Sequence, residues 1–167
     1  MAIRYQLIER APAEVWGVLA DPYRYADWVV GTAETAPREG DWPELGSSLS
    51  YTIPLGPRVA EGYTVVRRFD PPQHLELEAR SGLGSARIAF DIRPWGENTL
   101  VIVDEHPLTG LGGRLHNFLL DAVIQLRHRG MLSRLARVVE ETYPRTPPGG
   151  NAASAARSSA SGEAGHD

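Results

Sequence analysis

The chain has 167 residues, 42% of them hydrophobic, a formal charge of −4 and no cysteine. Disulfides, thiolate metal sites and cysteine nucleophiles are therefore excluded. All 17 basic side chains are arginine, so Schiff-base chemistry and a lysine-dependent phosphate loop are excluded too. The acidic balance argues against nucleic acid as a partner. No apolar run reaches membrane-spanning length, and the first ten residues lack the apolar core of a signal peptide. A cytoplasmic protein without an integral membrane segment is expected.

Ala2 to Ile8 alternates loosely and predicts an edge-type strand, with Ile3, Tyr5 and Leu7 on one face. Ala11 to Ala20 predicts a short helix. Pro12 suits its first position, Glu14 suits the positive end of its dipole, and Val15, Trp16, Val18 and Leu19 form its buried side. Asp21 is a good N-cap for a second short helix from Tyr23 to Trp28.

Strands follow at Thr32 to Arg38, Ser47 to Ile53, Val59 to Phe69, Leu75 to Ala79, Ala86 to Ile92 and Thr99 to His106. Turn signals separate them every 8 to 14 residues, which favours antiparallel hairpins. Leu75, Leu77 and Ala79 alternate with Glu76, Glu78 and Arg80, and Ile88, Phe90 and Ile92 repeat the pattern. In the last strand Leu100-Val101-Ile102-Val103 is apolar on both faces. Parity thus leaves open which of Asp104, Glu105 and His106 point inward.

Leu111 to Tyr143 runs without proline and predicts one long helix, stopped by Pro144. Leu115, Phe118, Leu119, Ala122 and Leu126 form one apolar stripe; Leu132, Leu135, Ala136 and Val139 form a second, turned away from it near Gly130. The helix is either buried on several sides or bent, with one half on a sheet and the other over a cavity. Residues 144–167 are rich in Ala, Ser, Gly and Pro and predict a disordered tail behind a 1–143 domain.

The order of elements is strand, two short helices, six strands and a long helix. Ala11-Pro12-Ala13-Glu14-Val15-Trp16, followed by Asp21-Pro22 and Trp28, resembles the opening of the START-like (SRPBCC) superfamily, including its polyketide cyclase/dehydrase-like members. Gly96 to Val101, the Asn117 to Asp121 region and the long final helix are similar as well. The resemblance covers about residues 1–143. It implies an α+β helix-grip fold, in which a seven-stranded antiparallel sheet wraps around the C-terminal helix and encloses a cavity for an apolar ligand. It leaves the chemistry open, because one fold hosts many functions.

No histidine pair has metal-ligand spacing, no Gly-x-Ser-x-Gly elbow is present, and Gly82 to Arg87 joins two strands rather than opening a helix. No metal or cofactor is expected. His106 beside Asp104 is the candidate general base if the two share the inward face; a solvated surface pair is the alternative. Trp28, Tyr51, Tyr63, Phe90 and Phe118 are the expected ligand-binding residues. Three functions fit: a binder of a small hydrophobic molecule of polyketide, lipid or isoprenoid class, a polyketide cyclase/dehydrase acting by substrate folding and proton transfer, or a protein-interaction module with a filled cavity.

Overall fold

A computed structural model describes residues 2–82, 84–110 and 130–145. Its frame is one seven-stranded antiparallel sheet in the order β1-β7-β6-β5-β4-β3-β2. The strands are β1 (Ala2–Ile8), β2 (Thr35–Glu39), β3 (Ser48–Leu55), β4 (Arg58–Asp70), β5 (His74–Ser81), β6 (Gly84–Trp95) and β7 (Asn98–Gly110). From β2 to β7 the sheet is a meander of hairpins; β1 closes the far side by pairing with β7, Ala2 against Glu105 and Ile8 against Thr99.

Helix α1 (Pro12–Leu19) starts as its sequence suggests. Pro12 takes the first helical position, and the Glu14 carboxylate accepts the Ala11 N–H at 2.7 Å. The Asp21 carboxylate accepts the Tyr23 N–H at 2.9 Å. It caps a 3₁₀ turn (Pro22–Arg24) that runs into the single turn of α2 (Tyr25–Trp28). The second predicted helix thus begins as 3₁₀ and continues as α from Tyr25.

Residues 130–142 are helical (α3). Leu132, Leu135, Ala136 and Val139 are all buried in the core, as the second predicted stripe requires. The first stripe, Phe118 included, and the tail from residue 146 lie outside the described residues. Arg10 ties α3 to the start of the chain: its Nε donates to the Tyr143 carbonyl and its Nη2 to the Glu140 carbonyl at 3.0 Å. A guanidinium on the last carbonyls of a helix satisfies acceptors that have no intrahelical partner.

The core lies between the helices and one face of the sheet. Leu49, Tyr51 and Ile53 of β3, Val66 of β4, Leu75 and Leu77 of β5, Ile88, Phe90 and Ile92 of β6, and Val101 and Val103 of β7 all point into it. A register shift between Val66 and Arg68 explains how β4 buries Val66 and still turns Phe69 toward Trp16. The predicted row Ile3, Tyr5 and Leu7 faces the other way, and Tyr5 is 65% exposed. Among the described residues no helix is long and apolar enough to cross a membrane.

Candidate functional site

Cross-strand register sorts the inward face into rows. One row runs Val66, Leu77, Ile88, Glu105; the next, toward the β5–β6 hairpin, runs Leu49, Thr64, Ala79, Ala86; the next, Tyr51, Gly62, Ser81, Gly84. Ile53 and Ala60 pair beyond it. Side-chain size therefore falls steeply from Phe90 to Ala79, Ala86 and Gly62. A sheet face floored by small residues admits larger groups above it, and over Gly62 the Tyr51 ring takes that place.

The large end of this face is closed by aromatic packing. Trp28 stands edge-on to Phe90 at 5.7 Å and to Tyr25 at 5.1 Å. Tyr25 stacks on Tyr51 at 5.9 Å, and its hydroxyl is 2.8 Å from that of the fully buried Thr64. The Tyr51 ring lies over Gly62, where an added Cβ would stand 2.6 Å from it. The Trp28 indole N–H is buried and has no hydrogen-bond partner among the described residues. Three predicted ligand-binding residues, Trp28, Tyr51 and Phe90, thus meet on one face, with Trp28 and Phe90 packed as core and Tyr51 reaching the small-residue end.

Tyr63 does not join them. It sits one residue from Gly62 and Thr64 and so points to the outer face, opposite Ser50 and Arg80. The expectation that Tyr51 and Tyr63 share a cavity wall is corrected by strand parity. The same parity settles the last strand. Val101, Val103 and Glu105 point inward, and Glu105 is only 6% exposed. Asp104 and His106 share the opposite face and pair there, Nε2 to Oδ2 at 3.0 Å. The candidate dyad is thus assembled, but on the outer face rather than the inward one.

A depression of about 1240 Å³ has most of its lining on the outer face, from β2 to β7. Its floor is the cross-strand row Ser50, Tyr63, Arg80, Ser85. The Arg38 guanidinium lies 4.4 Å above the Tyr63 ring. Arg80 and Arg67 hold Glu78 from two sides, each through Nε, at 2.6 and 2.7 Å. The Arg80 hydrogen bond, with Arg67 behind it, holds the Glu78 carboxyl below its ordinary pKa, and Glu78 raises Arg80 in return.

Two parts of this picture were hidden in the sequence. Glu105 could not be told from its neighbours because β7 is apolar on both faces; its outer Leu100 and Ile102 lie against the outward Leu7 and Tyr5 of β1. The charged row around Tyr63 reads along the chain as ordinary solvated alternation, and only register brings it together. Among the described residues no group of three acidic or histidine side chains could hold a metal.

The architecture is that of an α+β protein with an antiparallel sheet folded over helices. The sequence profile of the family described as polyketide cyclase / dehydrase and lipid transport matches residues 4–140, and the chain belongs to that family. Among solved structures it resembles the Zhui aromatase/cyclase from Streptomyces sp. R1128, with a TM-score of 0.67 and 15% identity over 83% of this chain and 92% of that one. Ara h 8.0201 is similar at a TM-score of 0.65 and 10% identity, over 84% and 97%. DynU16, a putative protein in the dynemicin biosynthetic locus, matches at a TM-score of 0.58 and 22% identity, over 86% of this chain and 48% of that one. At these identities the likeness is one of fold. No curated protein sequence matches the chain.

Proposed function

We propose that the protein binds a small hydrophobic or amphipathic molecule, of polyketide, lipid or isoprenoid class, on the inward face of its sheet. The observation that carries this is the small-residue floor, Ala60, Ala79 and Ala86, next to a face otherwise packed with large apolar side chains. Apolar area removed from water there contributes roughly 25 cal/mol per Å². Tyr51 and Glu105 supply polar contacts at its border, with Trp28 and Phe90 as its foot. Family membership and the likeness to an aromatase/cyclase support the same reading.

Fluorescence titration with an apolar dye tests it. Binding is expected for the native chain and for Ala136→Gly, and is expected to be lost in Ala86→Trp, whose indole would occupy the floor. Equal binding by native chain and Ala86→Trp, with both folded, would overturn the proposal.

A second reading, a polyketide cyclase, is favoured by one observation: a carboxylate, Glu105, faces inward on an apolar surface. Such catalysis is mostly substrate folding plus proton transfer. Glu105→Gln would then abolish turnover of a confirmed substrate while leaving dye binding intact.

A further inference from the structure

The outer-face depression shares Tyr51 and Gly62 of its lining with the inward row, but its charged side chains belong to the opposite face. Each residue of its floor row, Ser50, Tyr63, Arg80 and Ser85, carries a polar group. Arg38 and Arg80 line it together with Glu34, Glu61 and Glu78. Arg67, beside the lining, reaches Glu78, so three guanidiniums and three carboxylates stand in and next to the depression.

The charges are not all used up on one another. Glu78 is taken by Arg67 and Arg80 through their Nε atoms. No ion pair among the described residues involves Arg38, Glu34 or Glu61. Donors and acceptors thus stand side by side, and the charges sum to zero once Arg67 behind Glu78 is counted. A simple anion or cation gains little there, because attraction to one set is offset by repulsion from the other. A hydroxyl gains from both, since it donates to a carboxylate and accepts from a guanidinium. Tyr63 and Leu108 add apolar surface, and the Arg38 guanidinium is held over the Tyr63 ring.

We propose that this depression is a second ligand site, specific for a polyhydroxylated ring such as a pyranose sugar. Arg38 and Glu61 are its recognition residues. Arg80, fixed by Glu78, is its positioned floor. The volume of about 1240 Å³ exceeds what one ring needs, so a sugar carried on a larger body fits as well as a free one.

The test is an amide-resolved NMR titration of the full chain. Methyl glucoside probes the free sugar, and an aryl glucoside probes the same ring on an apolar body. Inorganic phosphate and an alkylammonium salt serve as charged controls. Saturable shifts at the amides of Ser50, Tyr63 and Arg80 with either glycoside are expected, with affinity lowered about tenfold in Arg38→Ala and in Glu61→Gln. Both substitutions are on exposed side chains and keep the native spectrum elsewhere. Absence of saturable shifts with both glycosides would overturn the proposal. So would the same shifts produced by phosphate or alkylammonium alone, or glycoside binding unaltered in both variants. Dye binding on the inward face is read at the amides of Ala79 and Ala86, which do not line the depression, so the two sites succeed or fail separately.

Discussion

Tyr51 lies flat over Gly62, and the fit leaves no room for a methyl group. A Cβ at Gly62 would stand 2.6 Å from the ring and 2.8 Å from the Arg80 carbonyl oxygen. The ring can move; the carbonyl belongs to the neighbouring strand and cannot. Gly62→Ala is expected to lower stability by about 1–3 kcal/mol, the usual cost of overpacking. Denaturant unfolding measures it. Tyr51→Ala combined with Gly62→Ala should recover only part of the loss, since the carbonyl clash persists.

Thr64→Val tests the buried hydroxyl pair with Tyr25. The shapes are nearly equal, so the change isolates the hydrogen bond. A loss of about 1 kcal/mol is expected in thermal or chemical unfolding. No change would mean that the Tyr25 hydroxyl is equally well served by other groups.

His106 and Asp104 face away from the core. His106→Ala is therefore expected to leave apolar-dye affinity within about twofold of the native value. A large loss on titration would place the dyad at the ligand after all.

Glu78 carries a pH dependence. The Arg80 hydrogen bond, with Arg67, lowers its folded pKa below the unfolded one. Its contribution is therefore complete above the ordinary carboxylate range and fades as the pH falls through the depressed value. Glu78→Gln should be less stable than native by under about 1 kcal/mol near neutrality, because solvent screens the half-exposed arginines. The difference should vanish in acid. Melting curves over a pH series test this, and a gap that widens in acid would reverse the sign.

Arg10 holds two carbonyls at the end of α3. Arg10→Ala should speed amide hydrogen exchange over the last turn of the helix while the β4–β5 ladder stays protected. Uniform exchange across both would show that the hook is not local.

Much of this architecture is legible in the sequence because the inward rows alternate strictly. Leu75, Leu77, Ile88, Phe90 and Ile92 could be assigned to the core from their period alone, and the core stripe from Leu132 to Val139 from its helical spacing. The Ala-Pro-Ala-Glu-Val-Trp opening led to the family. Period fails where both faces of a strand are alike. That is why period alone does not separate Glu105 from His106, or set Tyr63 apart from Tyr51. Across β4, polar and apolar residues occupy both faces, and a bulge after Val66 breaks the count. The outer row Ser50, Tyr63, Arg80, Ser85 joins residues from four strands, and no spacing along the chain announces such a juxtaposition.

The strand order has a meaning in time. Each strand from β3 to β7 meets a neighbour that was made just before it, through a short turn. β1 has only β7, so Ile8 waits for Thr99 before the ladder can begin, and Ala2 for Glu105 before it is complete. During synthesis the growing sheet is a set of hairpins with one detached ribbon, whose Ile3, Tyr5 and Leu7 have no sheet beside them. The last strand laid down is thus the one that brings in the first, and the Arg10 hook reaches its carbonyls only when α3 has followed. Completion of the sheet and capture of the helix end are joined through the same ten residues.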